Sequence, residues 1–340
     1  MRLWDSFFKA ATYLEQLCAP MRQTVAAGDL TQLRQDLLEE SKLSWRYLVL
    51  VVGSCIIATL GLLSNSAAVI IGAMLIAPLM LPIRGVAFGI LEADRSLIRA
   101  SVVALIGGSF LAVSMSTLLG LATGVAQFGS EVMARTEPTL LDLGVAVTAG
   151  ALAGIAKVAP KLSSTVAGTA IAVALMPPIC VVGLWLSQGN LDLGLGALLL
   201  YLTNLFGITL ACMVAFVLSG YSMAHRARRP LGITLMFTGL LIFPLGATTL
   251  RLLQQNQLEA SVKSALVDRT VTFQRLTLVD MSTNWLTTPA EISLTVWALE
   301  PVTPKQVDLL EQFLAHELGR PYRLIFFVSP VEEITSELPE

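Results

Sequence analysis

Seven stretches of this chain are long and apolar enough to cross a bilayer, and that succession excludes every soluble fold. They run over about 45–63, 66–90, 100–124, 140–157, 163–187, 195–219 and 232–250. About 30 Å of hydrocarbon needs roughly 20 residues of helix, because backbone away from water must close its own hydrogen bonds. The fourth stretch has the shortest core, with Asp142 at one end and Lys157 at the other. Composition agrees. Of 340 residues, 55% are hydrophobic and 14% charged, with a net charge of −2, against about 25% charged in a soluble domain. An ordinary cytosolic enzyme, a disordered chain and a nucleic-acid binder with a basic stripe are all excluded.

Lys and Arg collect on the cytoplasmic side of membrane helices, which makes the crossing parity readable. With the N-terminus inside, the cytoplasmic segments hold Arg2, Lys9, Arg22, Arg34, Lys42 and Arg46, then Arg95 and Arg99, then Lys157 and Lys161, and finally Arg226, Arg228 and Arg229. The external loops hold only Arg135. Removing the fourth crossing would put Lys157, Lys161 and the Arg226–Arg229 cluster outside. The pattern predicts seven crossings, N-in and C-out.

Residues 1–44 precede the bundle as amphipathic cytoplasmic helices. No secretory signal is expected there, since Asp5, Lys9 and Glu15 interrupt any apolar core. Leu3, Trp4, Phe7, Phe8, Ala11, Leu14 and Leu17 form one helical stripe; Leu30, Leu33, Leu37 and Leu38 form another, with Asp29 as its N-cap. Both stripes are expected to pack on the protein's own bundle. Residues 251–340 read as a small extracytoplasmic α/β domain: a helix at 256–267, strands at 270–279 and 290–299, a Pro304-led helix ending at Gly319, and a strand at 322–329. The fold class is thus an all-α polytopic membrane bundle at 45–250 plus a small C-terminal α+β domain.

The second and fifth stretches resemble each other. NSAAVIIGAMLIAPLM (65–80) and STVAGTAIAVALMPPI (164–179), shifted by 99 residues, align Asn65 with Ser164, Ser66 with Thr165 and Pro78 with Pro177. Each is Ala/Gly-rich and is expected to break near its middle at proline, with Pro82 and Pro178 adding a second interruption. Three crossings make each unit, 45–124 and 140–219, with 232–250 as an extra helix. An odd number forces the two copies into opposite orientations. Inverted repeats with broken helices in matching positions mark the binding site of many secondary transporters. Proline removes an N–H and displaces a carbonyl, and irregular backbone at membrane depth survives only in protein or around a wet cavity. Proline kinks and Ala/Gly packing also occur in helices that bind nothing. The pentapeptides Gly120–Gly124 and Gly150–Gly154 read as packing motifs.

Polar residues within the spans complete the candidate site. Arg84, after Pro82, either snorkels to the headgroups or lines a cytoplasmic vestibule that favours anions. Asn204, beside Thr203, either joins helices or contacts a ligand. Ser101, Ser109, Ser114, Ser116 and Thr117 make the third span rich in hydroxyls, a pattern of close packing. Substrate-binding candidates are therefore Asn65, Ser66, Gly72, Pro78, Pro82, Arg84, Ser164, Thr165, Pro177, Pro178 and Asn204. The absence of Asp or Glu deep in a span argues against a carboxylate proton relay. Cys18, Cys55, Cys180 and Cys212, with His225 and His316 far apart, supply neither a disulfide framework nor a metal set. No metal, cofactor or catalytic residue is expected, and the chain does not read as an enzyme.

SWRYLVLVVGSCIIATLGLLSNSAAVIIGAMLIAPLMLPIRGVAFGI (44–90) and IAVALMPPI (171–179) resemble a widespread prokaryotic membrane family, catalogued as domain of unknown function 389. The resemblance covers roughly 40–220 and implies a polytopic protein of a plasma (inner) or thylakoid membrane. Its signature residues here are Asn65, Ser66, Gly72, Ala73, Met74, Ala77, Pro78, Pro82, Pro177 and Pro178; it supplies no substrate. The sequence therefore predicts a transporter or channel for a small solute or ion. The alternative is a non-transporting scaffold or sensor whose external domain binds a lipid, glycan or protein. Membrane lipids and a homo-oligomeric partner are expected, and nucleic acid is not.

Overall fold

A computed structural model describes residues 27–158, 175–221, 224–270, 276–284, 289–298 and 302–330. The stripe at Leu3–Leu17 and the candidates Ser164 and Thr165 lie outside the described residues. The chain divides into two compact units, Met1–Thr249 and Leu250–Glu340.

The first unit is helical. It contains α1 (Ala27–Glu40), α2 (Trp45–Leu63), α3 (Ala67–Ile76), α4 (Met80–Glu92), α5 (Arg95–Thr123), the single turn α6 (Ser130–Met133), α7 (Leu140–Val158), α8 (Met176–Ser187) and α9 (Leu191–Leu218). A long helix, α10 (Ala224–Arg269), follows. Five helices are long and apolar enough to cross a membrane, or six if the bent pair α3–α4 counts as one span. α9 is the most enclosed of them, with 61% of its apolar window buried; α10 is the least, with 17%. Trp45, Phe110, Leu118 and Phe243 are 60–83% exposed, as side chains facing hydrocarbon are.

Two expectations are corrected here. The 232–250 span and the 256–267 helix are not separate, because α10 continues through Pro230 and Pro244. Threonine hydroxyls one turn on, at Thr234 and Thr248, donate to the Pro230 and Pro244 carbonyls at 3.1 and 3.0 Å. Asp29 is not an N-cap, since α1 already starts at Ala27. The Leu face of α1 nonetheless packs inward: Leu37 is fully buried, Leu33 nearly so, and Leu30 and Leu38 lie against the same core.

Helix contacts are set by small residues. Gly150 meets α9 so closely that a Cβ there would lie 2.5 Å from the Ile208 carbonyl oxygen, and one on Gly154 would lie 2.6 Å from Ala215 Cβ. Without a hydrophobic drive inside lipid, such approach is what holds helices together. Gly120 likewise meets Ser187, whereas Gly124 is the left-handed cap of α5 (φ 59°).

The second unit contains β1 (Leu276–Asn284), β2 (Ala290–Ala298), α11 (Pro304–Leu318) and β3 (Tyr322–Pro330). The sheet order is β1-β2-β3, with β1–β2 antiparallel and β2–β3 parallel across α11. Ile292, Leu294 and Val296 alternate inward against Leu310, Leu314, Val262 and Leu266. β1 carries an irregularity between Leu278 and Asp280; residues 271–275, the first half of the expected 270–279 strand, lie outside the described residues.

The glycine contacts give a matched test. Gly150→Ala should lower stability by about 2 kcal/mol, because its methyl meets backbone that cannot rotate away. Gly144→Ala, on the exposed side of the same helix with nothing within 4 Å, should be neutral or slightly stabilising. Thermal unfolding of both purified variants measures the difference.

Candidate functional site

The site is built around two helix starts inside the bundle. α3 ends at Ile76, three residues intervene, and α4 leaves at 50°. Pro78 is buried within that break. Ala77 N–H shares the Ala73 and Met74 carbonyls at 3.2 and 3.3 Å, and Leu81 N–H reaches the Pro78 carbonyl at 3.1 Å. Pro82 adds no second interruption: it sits in the first turn of α4, where a missing N–H costs nothing. Pro177 and Pro178 likewise occupy the first turn of α8 rather than the middle of a helix.

The two starts share a register that the sequence alignment missed. Leu79 and Leu175 are the N-caps, Met80 and Met176 the first helical residues, then Pro82 and Pro178, then Ile83 and Ile179. The offset is 96 residues, which pairs Pro82 with Pro178 instead of Pro78 with Pro177. It persists onward: a left-handed residue (Ala93, φ 55°; Gly189, φ 71°) precedes an N-cap (Asp94; Asn190), which starts a helix of 29 or 28 residues. α2 and α7, each of 19 residues, open the two series.

α8 is enclosed throughout Met176–Trp185. Ser116 donates to the Cys180 carbonyl at 2.6 Å, Thr117 to the Gly183 carbonyl at 3.0 Å, and the Cys55 and Cys180 sulfurs lie 3.7 Å apart. The hydroxyls of the third span thus secure α8.

Arg84 reaches α1. It is 9% exposed, and its terminal nitrogen lies 3.4 Å from Glu40, whose other oxygen holds Lys157 at 2.6 Å. One carboxylate of α1 therefore joins α4 and the end of α7. Beside it, a Cβ on Gly85 would fall 2.2 Å from Ser41 Oγ and 2.3 Å from Ser101 Oγ. Only glycine leaves both hydroxyls that room. Arg84 Nε, Ser41 Oγ and Ser101 Oγ have no hydrogen-bond partner among the described residues. One turn further along α4, Phe88 packs edge-on against Phe216 of α9, with ring centroids 5.5 Å apart. Phe88 also borders an open cleft of about 360 Å³ with Leu30, Thr31, Arg34, Glu92 and Asp94.

The remaining candidates are elsewhere. Asn65 is exposed in the α2–α3 turn at φ 52°, and its carboxamide oxygen accepts from Glu131 N–H at 2.8 Å, so it caps α6. Ser66 is the N-cap of α3 without a side-chain capping bond. Gly72 has open space where a Cβ would be. Asn204 is buried in α9 beside buried Thr203. Around Arg84 and Gly85 the structure gathers Glu40, Ser41, Ser101 and Lys157, which are far apart in sequence and share no local motif.

Residues 74–210 match the family model described as a domain of unknown function (DUF389). That region takes in the α3–α4 break, Arg84 and Ser101, α8 and most of α9, and it shows the resemblance carried by the IGAMLIAPLM and LMPPI motifs. An uncharacterized protein of Methanocaldococcus jannaschii is 29% identical to this chain over 194 residues, 57% of this chain and 59% of that protein. The match therefore spans about three-fifths of that relative's length. No solved structure matches.

At the α4–α5 turn, Asp94 Oδ1 accepts from Ser96 and Leu97 N–H at 3.0 and 3.2 Å, while Oδ2 pairs with Arg34. The Arg34 hydrogen bond, the largest effect, holds this carboxyl below the usual carboxylate range against desolvation, with lesser help from the Leu97 and Ser96 N–H groups. Its stabilisation of the α1 contact is full above the unfolded value near pH ~4 and lost as pH falls through the lower folded value. Asp94→Asn, which keeps a capping side chain, should flatten the fall in melting temperature between pH 5 and 3. An unchanged pH profile would count against the pair.

Proposed function

We propose that this protein carries a small solute or ion across a prokaryotic-type plasma (inner) or thylakoid membrane. In this reading the N-terminus is cytoplasmic, there are seven crossings, and the Leu250–Glu340 unit is extracytoplasmic. α8 is then the described end of the fifth crossing, and α2–α5 and α7–α9 are inverted copies. The observation that most supports it is the pair of buried helix starts at Leu79 and Leu175, in the same register. Helix starts at membrane depth present a partial positive charge to a ligand, and matched pairs of such ends are a recurring transporter device. The break at Pro78 supplies a joint at which α3 and α4 can change angle.

The reading also takes the protein as a homo-oligomer formed through exposed apolar faces. The alternative, a scaffold or sensor whose external domain binds a lipid, glycan or protein, draws support from the close packing of α8 against α2 and α5. It expects no solute flux.

Reconstituted vesicles separate the two. Flux of chloride, phosphate, sodium and potassium is followed with ion-selective electrodes for the native chain and for Pro78→Ala and Pro177→Ala. The transport reading expects flux of at least one ion above protein-free vesicles, and at least a tenfold loss in Pro78→Ala with its melting temperature nearly unchanged. Flux equal to the native chain in both variants removes the assigned role of the prolines.

A further inference from the structure

We propose that Arg84, Ser41 and Ser101 form a binding site for one small inorganic anion of the phosphate, sulfate or chloride class. Three donors within the bundle, Arg84 Nε and the two seryl hydroxyls, have no partner among the described residues. Both serines are fully buried and Arg84 is 9% exposed. A buried donor left unmatched is costly, and the two seryl oxygens meet at Gly85, the residue after Arg84, so three unmatched donors gathered from separate segments call for an acceptor. The acceptor is not a carboxylate of this cluster, since Glu40 already serves Lys157 and the far end of Arg84.

Charge points the same way. Arg84 and Lys157 share the single carboxylate of Glu40, which among the described residues leaves one positive charge in excess in this part-buried cluster. Bound anion cancels it, with charge-assisted hydrogen bonds of the strong kind.

The fold itself does not require these groups. Under the 96-residue register, the positions of Arg84, Gly85 and Ser101 are taken in the second series by Cys180, Val181 and Ala197. All three are fully buried. Helices that start in the same register are thus built without a cation or a hydroxyl at the first and third positions, and with a side chain at the position of Gly85. The first half carries a polar cluster that its counterpart dispenses with, and packing alone does not explain it.

As a site, this is independent of transport; as the identity of the carried solute, it rests on the transport reading, and the two fail separately. The test is binding to the full chain in phosphatidylcholine nanodiscs. Sodium phosphate, sulfate and chloride are titrated against gluconate at constant ionic strength, read by calorimetry and by melting temperature. Saturable binding of at least one anion is expected. The double variant Ser41→Ala/Ser101→Ala should bind about tenfold more weakly without a lower melting temperature in gluconate. Glu40→Gln, which removes the competing carboxylate, should bind about tenfold more tightly, an outcome no purely structural role for the cluster yields. Arg84→Gln should abolish binding, but the serine and Glu40 variants decide the matter if it does not fold.

Binding without flux of the same anion leaves the site standing and removes transport. The proposal is overturned if none of the three anions saturates, if the serine variant binds like the native chain, or if Glu40→Gln weakens binding. Loss of the anion response in phosphatidylglycerol nanodiscs would assign the site to a lipid phosphate instead and overturn it too.

Discussion

A peptide group carried into hydrocarbon has no water to bond with, so each helix end in the bundle must be closed by protein or made to need no partner. The chain solves this differently at the two kinds of end. At three of the turns a side chain caps the helix: Ser44 before α2, Asp94 before α5 and Asn190 before α9 each accept a backbone N–H. At the two starts inside the bundle the N-cap is leucine, with no side-chain bond. There proline does the work, since Pro82, Pro177 and Pro178 have no N–H to leave unmatched. A leucine N-cap is poor in water and suited to an apolar surrounding, where a serine hydroxyl would bring its own desolvation cost.

Once ends of this kind exist, long flanking helices must cover them. α8 packs chiefly on α5 and α9, and α4 on α5 and α9, so each short helix lies against the long helices of both series. The glycines of α7 and the hydroxyls of α5 make those contacts close. Enclosure of α9 follows from its place in the middle, and exposure of α10 from lying at the edge of that arrangement.

Electrostatics breaks the likeness between the two series. Amphipathic α1 lays its leucines on the bundle and thereby brings Glu40 to Arg84 and Lys157. A buried arginine is stable only with such partners, so a helix that reads as a surface strip is part of the charged interior. The same helix meets Asp94 through Arg34 at the boundary, and its position is held at two points.

Much of this was legible in the chain. The apolar runs, the small-residue motifs and the alternation at 290–298 each reflect a local rule: a hydrocarbon thickness, a close approach, or a two-residue pleat. The likeness of the two proline segments was legible by letter as Pro78 with Pro177, whereas within the helices it is Pro82 and Pro178 that hold equivalent first-turn positions. Asn65 and Ser66 read as ligand contacts, yet the tertiary turn uses Asn65 to cap α6. What the sequence by itself determined was that the chain carries a series of apolar helices suited to a membrane, since that depends on neighbours along the chain. Only tertiary structure decided which groups meet: Glu40, Ser41, Arg84, Ser101 and Lys157 come from four separate segments, and their meeting depends on helix rotation and packing that no local pattern encodes.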